Sequence, residues 1–568
     1  MRLVKNYKAM GAIVLLGAAM LSCTSLKNSS TTKDNSWVYE GIEFDMPKVK
    51  EPSIPNISIN IADIGGVPDG KTLNTDVFAK AIDELSNKGG GKVIVPAGIW
   101  FTGPIKMKSN IELHVEDGAL VRFSGDFDLY PLIKTSFEGL ETYRSISPIH
   151  AHNLENIAFT GNGTFDGSGD SWRPVKKGKM TAGQWKNLVK SGGVLGEKGD
   201  VWYPTENSMI GDSRDNFNVP NLNTREEFEQ VKDFLRPVMV SIVNSKRVLL
   251  DGPTFQNSPA WNIHPLMCED VTIRNLTVRN PWYSQNGDGL DLESCKNVVI
   301  YNNSFDVGDD AICFKSGKDV DGRKRNIPTE NVIVKNNIVY HGHGGFVVGS
   351  EMSGGVRNVH ISSCTFMGTD IGLRFKSTRG RGGVVENIYI SNINMIDIPA
   401  EPIRFNLFYG GKSPVLDDGG KSVSTDGDAE AMPVTEETPS FRNIYMKNIV
   451  ANGLDKAAFF MGLPEMKLQN IRLENVVLRA PEGITMVDAE GIEFINVRVE
   501  ADKGPAMIIY NSNDITLDGF EYKVDSDPVV LVGGEESTEI QVLSSDFSEV
   551  QSQIKVADGL NKSVLQVK

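Results

Sequence analysis

The segments NVVIYN (297–302), NVIVKN (331–336), NVHISS (358–363) and NIYISN (387–392) repeat one pattern: Asn, apolar, any, apolar, any, and often Asn again. The same opening stands upstream as NIEL at 110, NIAF at 156 and DVTI at 270. Downstream it returns as NIYM at 443, NIRL at 470, GIEF at 491 and DITL at 514. From 270 onward, successive openings lie 27, 34, 27, 29, 56, 27, 21 and 23 residues apart. Alternating apolar residues make a strand with one buried face. Short strands at a period in the twenties stack as coils of a solenoid, since no single coil can bury its own apolar face. Near-identical strand openings at this period set a β-sandwich aside. The expected fold is all-β: a right-handed parallel β-helix (solenoid) with a short N-terminal capping helix. Val, Ile and Leu stack inside it, and Asn residues form hydrogen-bonded ladders at the turns. The 56-residue interval fits two coils, or one coil with a long excursion.

Outside the repeat, Thr75–Lys88 places Val77, Phe78, Ala81, Ile82 and Leu85 on one helical face. Asn74 or Thr75 is the expected N-cap and Gly89 the expected end. Such a helix covers the open end of a solenoid, where unpaired backbone invites association. Residues 170–237 interrupt the repeat with about 67 residues that carry Trp172, Trp185, Trp202 and a basic stretch from Arg173 to Lys190. A second excursion spans roughly 410–440. Loops this long are often functional.

The chain opens with Arg2, Lys5 and Lys8, then an apolar run from Ala9 to Leu21. That run is shorter than the roughly 20 residues that span a bilayer. It ends in Met20-Leu21-Ser22-Cys23, similar to a bacterial lipoprotein box with Cys23 as the lipidated residue. Residues 1–22 are therefore expected as a lipoprotein signal peptide and 23–54 as a Ser-, Thr-, Asn-, Lys- and Pro-containing tether. Residues 55–568 are expected to form one β-helix domain with a large insertion at about 170–237. The expected location is the outer membrane of an exporting bacterium, facing the periplasm or the cell surface, held to lipid through Cys23.

The 568 residues carry a net charge of −15. That balance argues against a nucleic-acid partner, and an acidic polymer would need a local basic pocket. Four further cysteines (Cys268, Cys295, Cys313, Cys364) are too few for a disulfide scaffold, and no C-x-x-C pair marks a metal site. No metal or cofactor is expected. Cys268 and Cys295 each stand three residues before the first apolar residue of a repeat. On adjacent coils they are either a disulfide or stacked free thiols.

Four clusters carry chemistry: Asn286-Gly287-Asp288-Gly289, Gly308-Asp309-Asp310, Gly342-His343-Gly344 and Arg374-Phe375-Lys376. Asp309 and His343 stand at the same offset from the start of their repeats, so they stack. Adjacent coils lie roughly 4.8 Å apart, which crowds three carboxylates, an imidazole, a guanidinium and an ammonium onto one face. Read singly, Asp-Asp and Asn-Gly-Asp-Gly are ordinary turns. In register, three close carboxylates repel, and at least one is pushed towards its protonated form. An acid–base hydrolase needs that pairing of a protonated and an ionised carboxyl group.

With these motifs in order, the chain resembles glycoside hydrolase family 28, the polygalacturonases. The family motifs are Asn-Thr-Asp, Gly/Gln-Asp-Asp, Gly-His-Gly and Arg-Ile-Lys. All four have counterparts here, with Gly287 replacing Thr and Phe375 replacing Ile. The likeness runs from DGKTLNTDVFAKAIDELSNKGGGKVIVPAG (69–98) through at least Arg404. The strings NGDGLDL, VGDDAICFKSG, GHGGFVVGS and TDIGLRFKS look most like bacterial exo-acting members. The resemblance implies hydrolysis of α-1,4-linked galacturonan with inversion. Asp309 would protonate the glycosidic oxygen, and Asp288 and Asp310 would activate water. His343 would hold the acid's proton and geometry. Arg374 and Lys376 would bind a substrate carboxylate, and Asn286 would orient the water or Asp288. Arg404 is either a further sugar contact or a surface ion pair. Inverting carboxyl pairs sit ~6.5–9.5 Å apart. The 170–237 insertion is expected to fold over one end of the groove, its cations meeting a terminal uronate and its aromatic rings walling the pocket. Other readings are a rhamnogalacturonan or xylogalacturonan hydrolase on the same fold, and a calcium-dependent pectate lyase, whose oxygen cage the Gly-Asp-Asp and Gly-His-Gly motifs do not match. A non-catalytic β-helical carbohydrate-binding surface protein would leave the carboxylates unexplained.

Overall fold

The computed structural model describes residues 35–216, 218–410, 430–524, 528–545, 554–557 and 560–567. The expected signal peptide, Cys23 and residues 411–429 of the second excursion lie outside the described residues. The chain divides into two units, Met1–Glu40 and Gly41–Lys568. The described part of the first is a short 3-10 turn, Ser36–Tyr39.

The second unit is a right-handed parallel β-helix. Among the described residues, 37 strands join one continuous sheet in which each strand pairs in parallel with the coils before and after it. The first apolar residues of the repeats form one column: Val248, Val271, Val298, Val332, Val359, Ile388, Ile444, Ile471, Ile492, Ile515 and Ile540 are successive partners. Every one is fully buried. Ile388 pairs directly with Ile444. The 56-residue interval is therefore one coil with an excursion.

The reason each repeat opens with Asn or Asp is its backbone. Asn110, Asn156, Asp270, Asn297, Asn331, Asn358, Asn387, Asn443, Asn470 and Asp514 all adopt positive φ, between 50° and 63°. Short amide and carboxylate side chains tolerate this left-handed conformation better than other non-glycine residues. The amides then bond coil to coil: Asn331 Nδ2 to Asn297 Oδ1 at 3.2 Å, Asn358 to Asn331 at 3.1 Å, Asn470 to Asn443 at 2.7 Å. A second ladder runs along the next corner through Asn336–Asn302, Asn448–Asn392 and Asn496–Asn475. Two coils escaped the sequence pattern because their left-handed opening residues are Arg247 and Glu539.

The capping helix is Thr75–Asn87, and Phe78, Ala81, Ile82 and Leu85 pack into the solenoid core. Asn74 sits at the N-cap but makes no capping bond. Its amide instead bonds Val67, Thr72 and Phe101 carbonyls and accepts from Val67 N, pinning the entry loop to the first coil. Residues 23–34 of the expected tether also lie outside the described residues, and the expectation needs correction over 43–51. Glu43 bonds His360 at 2.6 Å, Glu51 pairs with Arg274, and Val49 is buried. Side chains with partners on the solenoid flank fix an extended segment that needs no core of its own.

The 170–237 excursion is a small folded body. It contains a three-stranded antiparallel sheet and helices Ala182–Lys190, Glu206–Asp212 and Arg225–Gln230. A hairpin, Leu132–Phe137 with Leu140–Ser145, stands beside it and was not evident in the sequence. Trp172 and Trp202 do not wall a groove. Trp172 is fully buried edge-on against Phe127 and Tyr130, and Trp202 bonds Gly192 O. Arg173 is likewise internal, bonding Ser258 O at 2.6 Å and Asn257 Oδ1 at 2.8 Å. Trp172 thus ties the start of the excursion to the chain before it, and large aromatic rings serve here as packing. Cys268 and Cys295 are buried free thiols on adjacent coils, with Cys268 N donating to Cys295 Sγ at 3.3 Å.

Candidate active site

One sheet of the solenoid turns its outer face towards the excursion. In strand Leu290–Glu293, Leu290 and Leu292 point into the core, so Asp291 and Glu293 point out. The outward column continues from Asp291 through Cys313, Val347, Arg374 and Arg404, coil by coil. Phe375 lies between Arg374 and Lys376 and points inward, stacking on Phe405 with centroids 4.5 Å apart. A bulky ring at this position completes a core ladder and leaves both cations outside.

The acids sit in the turns that lead into these strands. Gly289 N donates to Asp310 O and His343 N to Asp309 O, both at 2.9 Å. The backbone ladder therefore stacks Asp288 against Asp310 and Asp309 against His343. One oxygen from each of Asp288, Asp309 and Asp310 lies within 4.8 Å of the others. This is closer than the ~6.5–9.5 Å expected of an inverting pair. The cations beside Asp310 and the burial that disfavours charge on Asp288 reduce the repulsion that would separate them. The Gly287 and Gly308 substitutional space explains one motif change. A Cβ at Gly287 would meet Ser284 Oγ at 1.9 Å, and one at Gly308 would meet the same oxygen at 2.5 Å. Ser284 occupies the room a threonine would need.

The three carboxylates differ in environment. Asp309 has 22 % of its side chain exposed, whereas Asp310 has 2 %. Asp288 is buried and its Oδ1 lacks a hydrogen-bond partner among the described residues. Burial, with the charges of Asp291 and Asp309 beside it, pushes the Asp288 carboxyl well above the usual range. Burial opposes ionisation of Asp310 too, but the Lys376 ammonium at 2.7 Å and Arg374 guanidinium at 3.1 Å outweigh it, and the group is held well below the usual range. His343 Nδ1 lies 3.2 Å from Asp309 Oδ1, and this bond raises the imidazole above its ordinary value. Its other nitrogen faces Asp370 at 3.7 Å.

Several expected contacts differ. Arg374 and Lys376 are both committed to Asp310, and Tyr409 lies over them with its ring 5.7 Å and 5.0 Å away. Asn286 does not face the acids with its carbonyl. That oxygen accepts from Arg236 at 2.8 Å and Asn218 at 3.2 Å. Arg404 ion-pairs with the largely buried Glu401 at 2.5 Å while sharing the Arg374 column.

The hairpin and the excursion meet beside this face. Glu138, at the tip of the hairpin, accepts a 2.6 Å bond from Asn218 of the excursion. Burial and the nearby Glu351 raise its carboxyl. Arg144 donates to Asn218 O and Arg236 O and stacks over Phe137. Lys318 N donates to Gly139 O at 3.3 Å, closing the tip onto the loop after Lys315. Sequence reading missed this hairpin because its residues match neither the solenoid pattern nor a tight-turn signature. It also passed over buried charges at outward strand positions. Lys315 lies 3.5 Å from Asp291 and 3.0 Å from Glu351, and Glu293 bonds His264 at 2.9 Å and Arg325 at 2.7 Å. Their signal was a charge flanked by apolar residues in LDLE and CFKS.

A solenoid face on which three crowded carboxylates differ in environment, one exposed beside an imidazole, one buried and one held ionised by two cations, defines a class of protein: acid–base glycoside hydrolases. The comparisons agree. The family model for glycosyl hydrolases family 28 matches residues 224–446. A hyperthermoactive exopolygalacturonase from Thermotoga maritima is 32% identical, with TM-score 0.62, over 80% of this chain and 94% of that one. A probable polygalacturonase from Vitis vinifera is 28% identical over 454 residues, 77% of this chain and 78% of the relative. A family 28 exopolygalacturonase from Yersinia enterocolitica shares the fold at 22% identity and TM-score 0.61, over 87% of this chain and 79% of that one. The chain belongs to glycosyl hydrolase family 28.

Proposed function

We propose that this hydrolase cleaves α-1,4-galacturonosidic bonds of galacturonan, one terminal residue at a time, with inversion. The observation that carries this reading is the division of labour among the three carboxylates. Asp309 alone reaches the groove surface, so it delivers the proton to the glycosidic oxygen, with His343 fixing its orientation. Asp288 and Asp310 activate water from the buried side. Asp310 is held ionised by its two cations, while burial disfavours charge on Asp288. Lys376 serves mainly to keep Asp310 ionised. Arg374 spends one donor on Asp310, and its remaining donors are free to meet a uronate carboxylate beside Tyr409. Arg404, one coil on, extends that cationic side.

The exo mode draws support from the hairpin tip and the excursion, which meet beside the site at Glu138 and Asn218. A polymer enters from the Arg374 side and stops there. An exopolygalacturonase from Thermotoga maritima is among its relatives. At the other end of the chain, the basic start, the apolar run and Cys23 support export and lipid anchoring in a bacterial envelope.

Early products on long polygalacturonate test the central reading. Monogalacturonate with slow loss of viscosity is expected. A spread of oligomers with rapid thinning rules out the exo mode, and faster cleavage of rhamnogalacturonan fragments rules out the substrate. Proton NMR of the first product reports the anomer, with inversion expected. Hydrolysis is expected to persist in chelator without an unsaturated product, which separates it from elimination.

A further inference from the structure

Beside the acids lies a second, buried set of charges. Lys315 is almost wholly buried, with Glu351 at 3.0 Å, Asp291 at 3.5 Å and the Trp261 ring at 4.7 Å. Asp291 is fully buried, and neither of its carboxylate oxygens has a hydrogen-bond partner among the described residues. A buried carboxylate without a partner is expensive unless a cation compensates it or it keeps its proton. Here one ammonium serves two acids, and it gives its hydrogen bond to Glu351.

The same array borders the catalytic turns. Asp288 and Asp310 act on it from the two turns, Cys313 from Lys315's own strand and Lys376 from the far side. Asp309 bears on Asp291, Arg381 on Glu351, and Glu138 faces Glu351 from the hairpin tip. Lys318 and Arg236 complete the cations that bear on Glu138 and Asp288. His264, Glu293 and Arg325 satisfy one another beside it.

We infer that Lys315 is a positioning residue: held between Asp291 and Glu351, it is a charge hub that sets the acid side of the enzyme's pH–rate profile through Asp288. The inference rests on the reading of Asp288 as a water-activating base. Remove the ammonium, and four neighbouring acids lose a shared compensating charge. Asp288 then takes its proton at higher pH, and the acid limb moves up. Neutralise Glu351, and the ammonium is left to the aspartates alone. Asp288 then ionises more readily, and the acid limb moves down.

The test is the pH dependence of kcat/KM on a short oligogalacturonide for Lys315→Met, Lys315→Arg and Glu351→Gln. Lys315→Met is expected to raise the acid limb by about one pH unit or more, in the range of a single close charge. KM should change little. Lys315→Arg should return most of the shift, because it restores charge rather than shape. Glu351→Gln, nearly isosteric, should shift the limb downwards and decides the matter alone if Lys315→Met does not fold. Unmoved limbs, or both variants moving the same way, overturn the inference. Asp288→Asn keeps the two readings separate. Turnover that survives it overturns the base assignment. Turnover lost there, with limbs unmoved in the other variants, overturns the hub alone.

Discussion

At the scale of single residues, the site depends on which acid meets the groove. Asp309→Asn keeps the shape and removes the proton donor. A loss of about 10²–10⁴-fold in kcat with unchanged circular dichroism is expected, and near-normal turnover would exclude Asp309 as the acid. Lys376 bonds Asp310 at 2.7 Å. Lys376→Met should therefore lower kcat on galacturonate and on its methyl ester alike, where an anion receptor would spare the ester; steady-state kinetics on both substrates tells them apart. Gly287 belongs to Ser284 more than to the chemistry. Gly287→Thr drives a side chain into Ser284 Oγ and should cost about 2 kcal/mol, as overpacking does. Adding Ser284→Gly should recover most of it in a denaturation cycle.

At the scale of elements, the ladders and the hairpin do different work. Asn331 holds a positive φ of 57° and passes an amide bond in each direction. Asn331→Ala loses both the tolerated backbone and the bonds, about 2 kcal/mol together. Asn331→Gly keeps the backbone freedom and should lose less, measured by urea unfolding. The hairpin Leu132–Phe137/Leu140–Ser145 adds no rung to the solenoid, so shortening its tip should leave the fold intact. Replacing 136–141 with a tight Gly-containing turn removes Glu138 and opens the upstream end. The first products from long polygalacturonate should then broaden from monomer to a range of oligomers, and an unchanged product pattern would place the stop elsewhere.

At the scale of the molecule, the same outward face is a column of ionisable groups under the excursion, and its stability depends on pH. His150 and His152 stack with centroids 3.7 Å apart. Burial, with Lys106 near the first and His150 and His264 near the second, holds them down to about 4 and about 3. Folded values below the unfolded one mean that their contribution is fully present above pH ~6.5 and is lost as pH falls towards those values. Asp288 and Asp291 run the opposite way, since their raised carboxyls favour the folded state at low pH. Replacing both histidines with Asn should therefore flatten the fall in Tm between pH 6.5 and 4 relative to the parent, and an equal fall would show that the histidines do not drive it.

How much of this was legible follows from the range of each interaction. The coil repeat is local: a left-handed turn wants Asn, a strand wants alternation, and both leave their mark within six residues. The acids, His343 and the cations were legible because stacking at a constant period turns sequence offsets into neighbours. The same reading failed where the left-handed opening residue is neither Asn nor Asp, at Arg247 and Glu539, and in the hairpin, which has no period. The sequence by itself determined the solenoid, its core column, the capping helix and the row of chemical groups on one face. Only the tertiary structure decided that Trp172 and Arg173 are internal, that Asn286 is held by Asn218 and Arg236, and that Lys315 is shared by two acids. Those contacts join residues far apart in the chain through an excursion without a period, so no local preference records them. They are set by which buried polar group finds a partner once the coils have closed.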